Sequence, residues 1–272
     1  MSDILGYKGK RVIVSGCFSG MGQATAKMLV GLGAEVHGFD YKDVSADLAS
    51  FNKVDLRDPA SIDAGVAAVG GKIDALFNCA GLPQTAGAMA AMQVNFAGTR
   101  HLTEKVMPLM SGGGAVVSIS SNGGLGWSRR IPVHMQFIAN QGFEGAMKWA
   151  EENAETVGDG YSFSKEAVIV WTMLMSQSAI HKGIRMNCTM PGPTETPMMR
   201  DFESVSAAAV DFFTKPIGRR STPEEQAGPL VFLNSGLATF INGVCLSVDG
   251  GFMGGMATGQ IDPAVLMKAA GR

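Results

Sequence analysis

Short β-branched or apolar runs alternate with longer stretches of helical spacing along this chain. Lys10-Arg11-Val12-Ile13-Val14-Ser15 predicts a first strand, and Gln23 to Gly31 predicts a helix ended by glycine. Further strands are predicted at Glu35-Val36-His37-Gly38-Phe39-Asp40, Lys53-Val54-Asp55-Leu56, Asp74-Ala75-Leu76-Phe77-Asn78 and Gly114-Ala115-Val116-Val117-Ser118-Ile119-Ser120. Helical patterns cover about 88–110 and 162–180. Two last strands follow, at Gly183-Ile184-Arg185-Met186-Asn187-Cys188-Thr189-Met190 and Gly243-Val244-Cys245-Leu246-Ser247-Val248. Apolar strands separated by helices predict an α/β architecture, a doubly wound parallel sheet with helices on both faces. The crossovers should be right-handed. No repeat, low-complexity tract or Pro/Ser-rich linker divides the chain, so 1–272 is read as one domain.

Composition narrows the partners. Of 272 residues, 46% are apolar and 17% charged, enough to bury a large core. The formal net charge of −2 supplies no basic field for nucleic acid or an anionic membrane. Cys17, Cys79, Cys188 and Cys245 are widely spaced and form no CxxC, which fits reduced thiols in a cytoplasmic protein and no zinc site. His134 and His181 show no partner in the sequence, and no metal site is expected. Met1-Ser2-Asp3-Ile4 lacks the basic start of a signal peptide, and no apolar run reaches the roughly 18 residues of a membrane span.

The first strand runs into Ser15-Gly16-Cys17-Phe18-Ser19-Gly20-Met21-Gly22 and then a helix. Glycines at such a turn let the backbone approach a pyrophosphate, and the helix N-terminus offers N–H donors. Their spacing is GxxxGxG. Asp40 ends the second strand, where an acidic side chain accepts hydrogen bonds from an adenosine ribose. Its charge would repel a 2′-phosphate, and Cys17-Phe18-Ser19 offers no cation to hold one, so NAD is expected over NADP. Lys42 is the nearby group that would soften this preference. Together these features make the sheet Rossmann-type, with about seven strands. Tyr161 and Lys165 lie four apart, on one face of a predicted helix. An ammonium beside a phenol favours phenolate, so the Tyr161 pKa is expected to fall from about 10.

With these motifs the chain resembles the short-chain dehydrogenase/reductase family from about Lys10 to Gly251. The resemblance implies the roles that follow. Tyr161 and Lys165 match the YxxxK pair, Asn95 in Gln93-Val94-Asn95 the catalytic-tetrad asparagine, and Ser118-Ile119-Ser120-Ser121 the strand-five signature. The catalytic serine of that signature is Ser121, chosen over Ser120. Asp55 and Leu56 would border the adenine. Asn78-Cys79-Ala80-Gly81 stands where the family has Asn-Asn-Ala-Gly, placing Asn78, Ala80 and Gly81 among the cofactor residues with Gly16, Ser19, Gly20, Met21, Gly22 and Asp40. Pro191, Gly192, Thr194 and Thr196 match the loop at the nicotinamide amide, and Val248-Asp249-Gly250-Gly251 the closing motif. The family's usual association surfaces imply a homo-oligomer.

Ser121 and Tyr161 are 40 residues apart, a longer gap than most of that family has, so 122–160 is read as an insertion. It resembles the segment of bacterial 3α-hydroxysteroid dehydrogenase/carbonyl reductases, and other runs resemble coniferyl-alcohol dehydrogenases. The substrate-loop region is read as about 194–220. Met198, Met199 and Phe202, with Trp127 from the insertion, are the expected walls of an apolar pocket. Arg129-Arg130 and Arg219-Arg220 would either meet a carboxylated substrate or lie solvated on the surface. The leading expectation is an NAD-dependent dehydrogenase or reductase of hydrophobic alcohols and carbonyls. The alternatives are a non-catalytic NAD-binding sensor or scaffold, and an epimerase or dehydratase.

Overall fold

The computed structural model describes residues 3–262 and 264. Among them seven strands form one parallel sheet: β1 (Arg11–Ser15), β2 (Glu35–Asp40), β3 (Ser50–Lys53), β4 (Ile73–Asn78), β5 (Met110–Ile119), β6 (Arg185–Pro191) and β7 (Cys245–Val248). Their spatial order is β3-β2-β1-β4-β5-β6-β7. The chain steps outward from β1 to β3, then restarts on the other side of β1 with β4. That reversal opens a crevice beyond the C-terminal ends of β1 and β4, where Ser15 and Asn78 are register partners.

The helices are α1 (Gly20–Gly31), α2 (Pro59–Val69), α3 (Ala88–Met92), α4 (Thr99–Val106), α5 (Ile131–Ile138), α6 (Gly142–Glu152), α7 (Ala154–Val157), α8 (Tyr161–Ala179), α9 (Met199–Thr214), α10 (Pro223–Leu233) and α11 (Phe252–Ala257). Strand alternation sends side chains into two separate cores. Val12, Val14, Ala75, Phe77 and Val117 pack with Leu29 of α1 and Leu230 of α10. Ile13, Leu76, Val116 and Met186 pack on the opposite face with Phe96, Phe137, Phe163 and Trp171.

Two segments differ from the pattern-based expectation. The third strand lies earlier, at Ser50–Lys53, paired from His37↔Ser50 to Asp40↔Lys53. Beyond it Asp55 accepts from the Arg57 N–H, and Asp58 caps α2 by accepting from Ala60 N. Val54 and Leu56 are therefore buried without being strand residues. The helix expected over 88–110 is interrupted by a π turn at Gln93–Gly98, which carries Asn95, and by a 3-10 turn at Met107–Leu109 containing Pro108. The segment 122–160 is mostly helical and joins the main core. Phe137 and Phe143 are buried there, and Trp149 stacks on Phe163 with centroids 5.8 Å apart.

Candidate active site

The β1–α1 turn is built for close backbone approach. Gly16 has φ 74°, and a Cβ there would lie 2.6 Å from the Ala80 backbone. A Cβ on Gly22 would run into the Gly16 carbonyl. Only glycine fits where this turn passes β4. Ser19 precedes α1 with its hydroxyl free of any capping bond, Gly20 opens the helix, and Met21 lines the cleft below. Asp40 is 8% exposed and braces the turn: Oδ2 accepts from Phe18 N and Oδ1 from Lys42 N, both at 3.0 Å. Lys42 Nζ sits 4.9 Å from the centre of the Phe18 ring.

Other expected cofactor residues fall into two groups. Gly81, Pro191, Gly192, Thr194 and Thr196 line the cleft, and Ala80 backs Gly16. Thr194 Oγ1 donates to Gly192 O at 3.0 Å, and Thr196 stands against Gly20. Asn78, Asp55 and Leu56 are not among the residues that line this cleft. Asn78 Nδ2 donates to Thr103 Oγ1 at 2.9 Å and Ser118 Oγ at 3.1 Å, tying β4 to α4 and β5. Asp55 is ion-paired with Arg57 at 2.6 Å, and the guanidinium holds its carboxyl below the usual range. Leu56 is a core residue.

Ser121, Tyr161 and Lys165 converge on one cleft of about 670 Å³. Tyr161 begins α8 and Lys165 lies one turn on, its Nζ donating to Ile119 O at 2.9 Å. Ser120 Oγ is withdrawn, donating to Lys165 O at 2.8 Å, while Ser121 Oγ accepts from Gly123 N at 3.0 Å. Asn95 Oδ1 accepts from Leu82 N, and its Nδ2 donates to Leu82 O and Ser164 Oγ. A Cβ on Gly81 would sit 3.3 Å from Asn95 Oδ1 and 3.5 Å from Lys165 Nζ, so these groups flank one corner of the cleft.

The expected fall of the Tyr161 pKa is corrected by this geometry. Lys165 Nζ lies 5.9 Å from the Tyr161 ring centre and spends a hydrogen bond on Ile119. Burial pushes the phenol up to about 12, with Ser121 acting against it and Asp159 adding to it. Burial likewise pulls Lys165 down to about 8. Each charged form is disfavoured where water is excluded.

Met198, Met199 and Phe202 form the expected apolar wall, extended by Val205, Val210 and Phe213 of α9. Phe202 meets Tyr161 edge-on at 5.1 Å. Phe212 instead turns to Phe252. Trp127 is not part of the wall; it lies half-buried against the main core, so that expectation is corrected. His134 does have a partner: it is wholly buried, with Nε2 2.8 Å from Glu166 Oε2. Arg130 Nη1 donates to the same oxygen at 3.0 Å. Arg219 pairs with Glu225, and Arg220 with Glu203 and Glu195.

Asn122 and Asp159 are among the cleft residues that the sequence did not single out. Asn122 is 4% exposed, and among the described residues neither of its amide atoms has a hydrogen-bond partner. Its Nδ2 faces Gly192, 3.7 Å from where a Cβ would stand. In the sequence it is one polar residue in a glycine-rich turn, with no signal of burial. Asp159 enters the lining beside Tyr161, although by sequence it is only a residue preceding a helix.

The model of the family described as short chain dehydrogenase matches residues 10–133, and the one described as Enoyl-(Acyl carrier protein) reductase matches 145–253. A coniferyl-alcohol dehydrogenase of a Pseudomonas sp. is 34% identical over 244 residues, 89% of this chain and 96% of that protein. A 3-alpha-hydroxysteroid dehydrogenase/carbonyl reductase of Comamonas testosteroni is 30% identical over 254 residues, covering 88% and 95%. The crystal structure of the 3-alpha-hydroxysteroid dehydrogenase from Pseudomonas sp. B-0831 complexed with NADH superposes with a TM-score of 0.77 at 28% identity, covering 92% of this chain and 99% of that one.

Proposed function

This chain belongs to the short-chain dehydrogenase/reductase family, and on that premise we propose that it transfers a hydride between NAD(H) and a hydrophobic alcohol or its carbonyl counterpart. The observation that carries this reading is the convergence of Ser121, Tyr161 and Lys165 on one largely apolar cleft beside the strand switch point. The glycine turn, in which a Cβ would collide, and the orphaned amide of Asn122 both fit an extended polar ligand there. Nicotinamide, when bound, supplies the hydride acceptor or donor. Gly16, Ser19, Gly20, Met21 and Gly22 would hold the pyrophosphate at the α1 N-terminus. Asp40 would hold the adenosine ribose, and Gly192, Thr194 and Thr196 the nicotinamide end.

Tyr161 takes the alcohol proton in oxidation and returns it in reduction. Its raised pKa keeps the phenol protonated, which suits donation to a carbonyl oxygen. Ser121 donates a hydrogen bond to that oxygen and stabilises developing alkoxide charge. Lys165 holds a ribose hydroxyl beside Tyr161. Asn95 fixes the Leu82–Ser164 corner beside Lys165, where a water would join it to solvent. The apolar walls and the names of the relatives support a hydroxysteroid, terpenoid or aryl-allylic alcohol. Asp40 supports NAD over NADP, with Lys42 as the opposing group. The edge strand β7, with Phe240 fully exposed just before it, supports a homo-oligomer.

Purified protein assayed with NAD and NADP in parallel, against those three alcohol classes and small polyols, tests this. Turnover of apolar alcohols with NAD is expected. Activity on polyols alone would overturn the pocket reading, and a strong NADP preference would overturn the role of Asp40.

A further inference from the structure

The charges of the cleft bear on its substrate. Among the described residues that line it, only Lys165 and Asp159 carry charged side chains. Lys165 is turned inward, 4% exposed, with its Nζ on Ile119 O. It offers no free cation to a substrate anion. Asp159 is half-buried and firmly held: one oxygen accepts from Ser162 N at 2.8 Å and the other from Ser162 Oγ at 3.0 Å. The adjoining Gly160, with φ 71°, is pressed against the Ala88 backbone, where a Cβ would collide, so the turn is anchored on α3. Each carboxylate oxygen keeps a second lone-pair site for a ligand.

We propose that Asp159 selects substrates by charge: the cleft favours apolar alcohols that bear a second donor, a hydroxyl or an ammonium, toward Asp159, and rejects those that bear a carboxylate there. This rests on the dehydrogenase reading above. Apolar walls weaken solvent screening, so a second carboxylate beside Asp159 is repelled and an unpaired buried anion is costly. A donor on the same spot gains a charge-assisted hydrogen bond. Asp159 lines the same cleft as Tyr161, and its charge acts to raise the Tyr161 pKa.

The test uses cinnamyl alcohol, its para-aminomethyl derivative and its para-carboxylate derivative with wild-type, Asp159→Asn and Ser162→Ala proteins. Asn keeps an acceptor for Ser162 N, so the start of α8 is preserved. In the wild type, kcat/KM for the ammonium substrate should exceed that for the carboxylate by more than about tenfold, the worth of one charged hydrogen bond. Asp159→Asn should bring the two within about threefold, chiefly by raising the carboxylate value, and Ser162→Ala should keep the wild-type ranking. A role exerted only through Tyr161 or folding changes all three substrates together, so an unchanged ratio in Asp159→Asn overturns the proposal. Absence of turnover for all three alcohols with either nucleotide overturns instead the aryl-alcohol dehydrogenase reading beneath it.

Discussion

Lys165 and Tyr161 share a face of α8, and burial acts on both. The Lys165 pKa is depressed from 10.5 to about 8, so the folded chain releases that proton before the unfolded chain does. The unfolded state then binds more protons between those values, and this group adds stability as pH rises through that window. Lys165→Met removes the buried charge. The variant should melt above the cofactor-free wild type at pH 7, and the difference should shrink as pH climbs from about 8 toward 10.5. Melting curves across that range check it. Asn122 makes a second residue-scale case. An orphaned buried amide costs stability, and an apolar side chain of similar size relieves it. Asn122→Leu should raise stability by about 1 kcal/mol, read by urea titration, while weakening nucleotide binding about tenfold, read by fluorescence titration. Neither residue's surroundings were legible in the sequence, because burial at both depends on β5 and the β6 loop closing over them.

α8 has a second face with another task. Phe163 and Glu166 point away from the cleft, into the contacts that hold α5. Glu166 is 4% exposed and joins buried His134 and half-buried Arg130 in one cluster, while Arg130 Nη2 also donates to Thr156 O. The helix that carries Tyr161 is thus clamped to the segment 122–160. Glu166→Ala leaves His134 and Arg130 without their shared anion and should cost about 3 kcal/mol or more, measured by urea unfolding. Sequence spacing could not reveal this pairing, since His134 and Glu166 meet only once α5 lies across α8. Within a single element the pattern was easier to read. Tyr161 and Lys165 stood out by helical spacing and took their roles from the family resemblance, and the glycine turn stood out by its place between strand and helix. Boundaries failed where side chains ended an element: Asp55 and Asp58 cut the third strand short, and the π turn broke the helix around Asn95.

At the scale of the molecule, alternating strands and helices led directly to the doubly wound sheet, because its strands are buried on both faces and read as apolar runs. The order of those strands then places the glycine turn, Ser121 and the β6 loop around one crevice. The pocket was only partly legible. Met198, Met199 and Phe202 line it as their position after β6 suggests, whereas Trp127 packs into the core that the segment 122–160 helps to build. The acid–base chemistry assigned to this crevice depends on Tyr161. The most direct test compares wild-type and Tyr161→Phe proteins for NADH formation from an apolar alcohol and, separately, for NADH binding by fluorescence. The account predicts a loss of turnover of about a hundredfold or more with binding nearly unchanged. Equal turnover in the two proteins would contradict it.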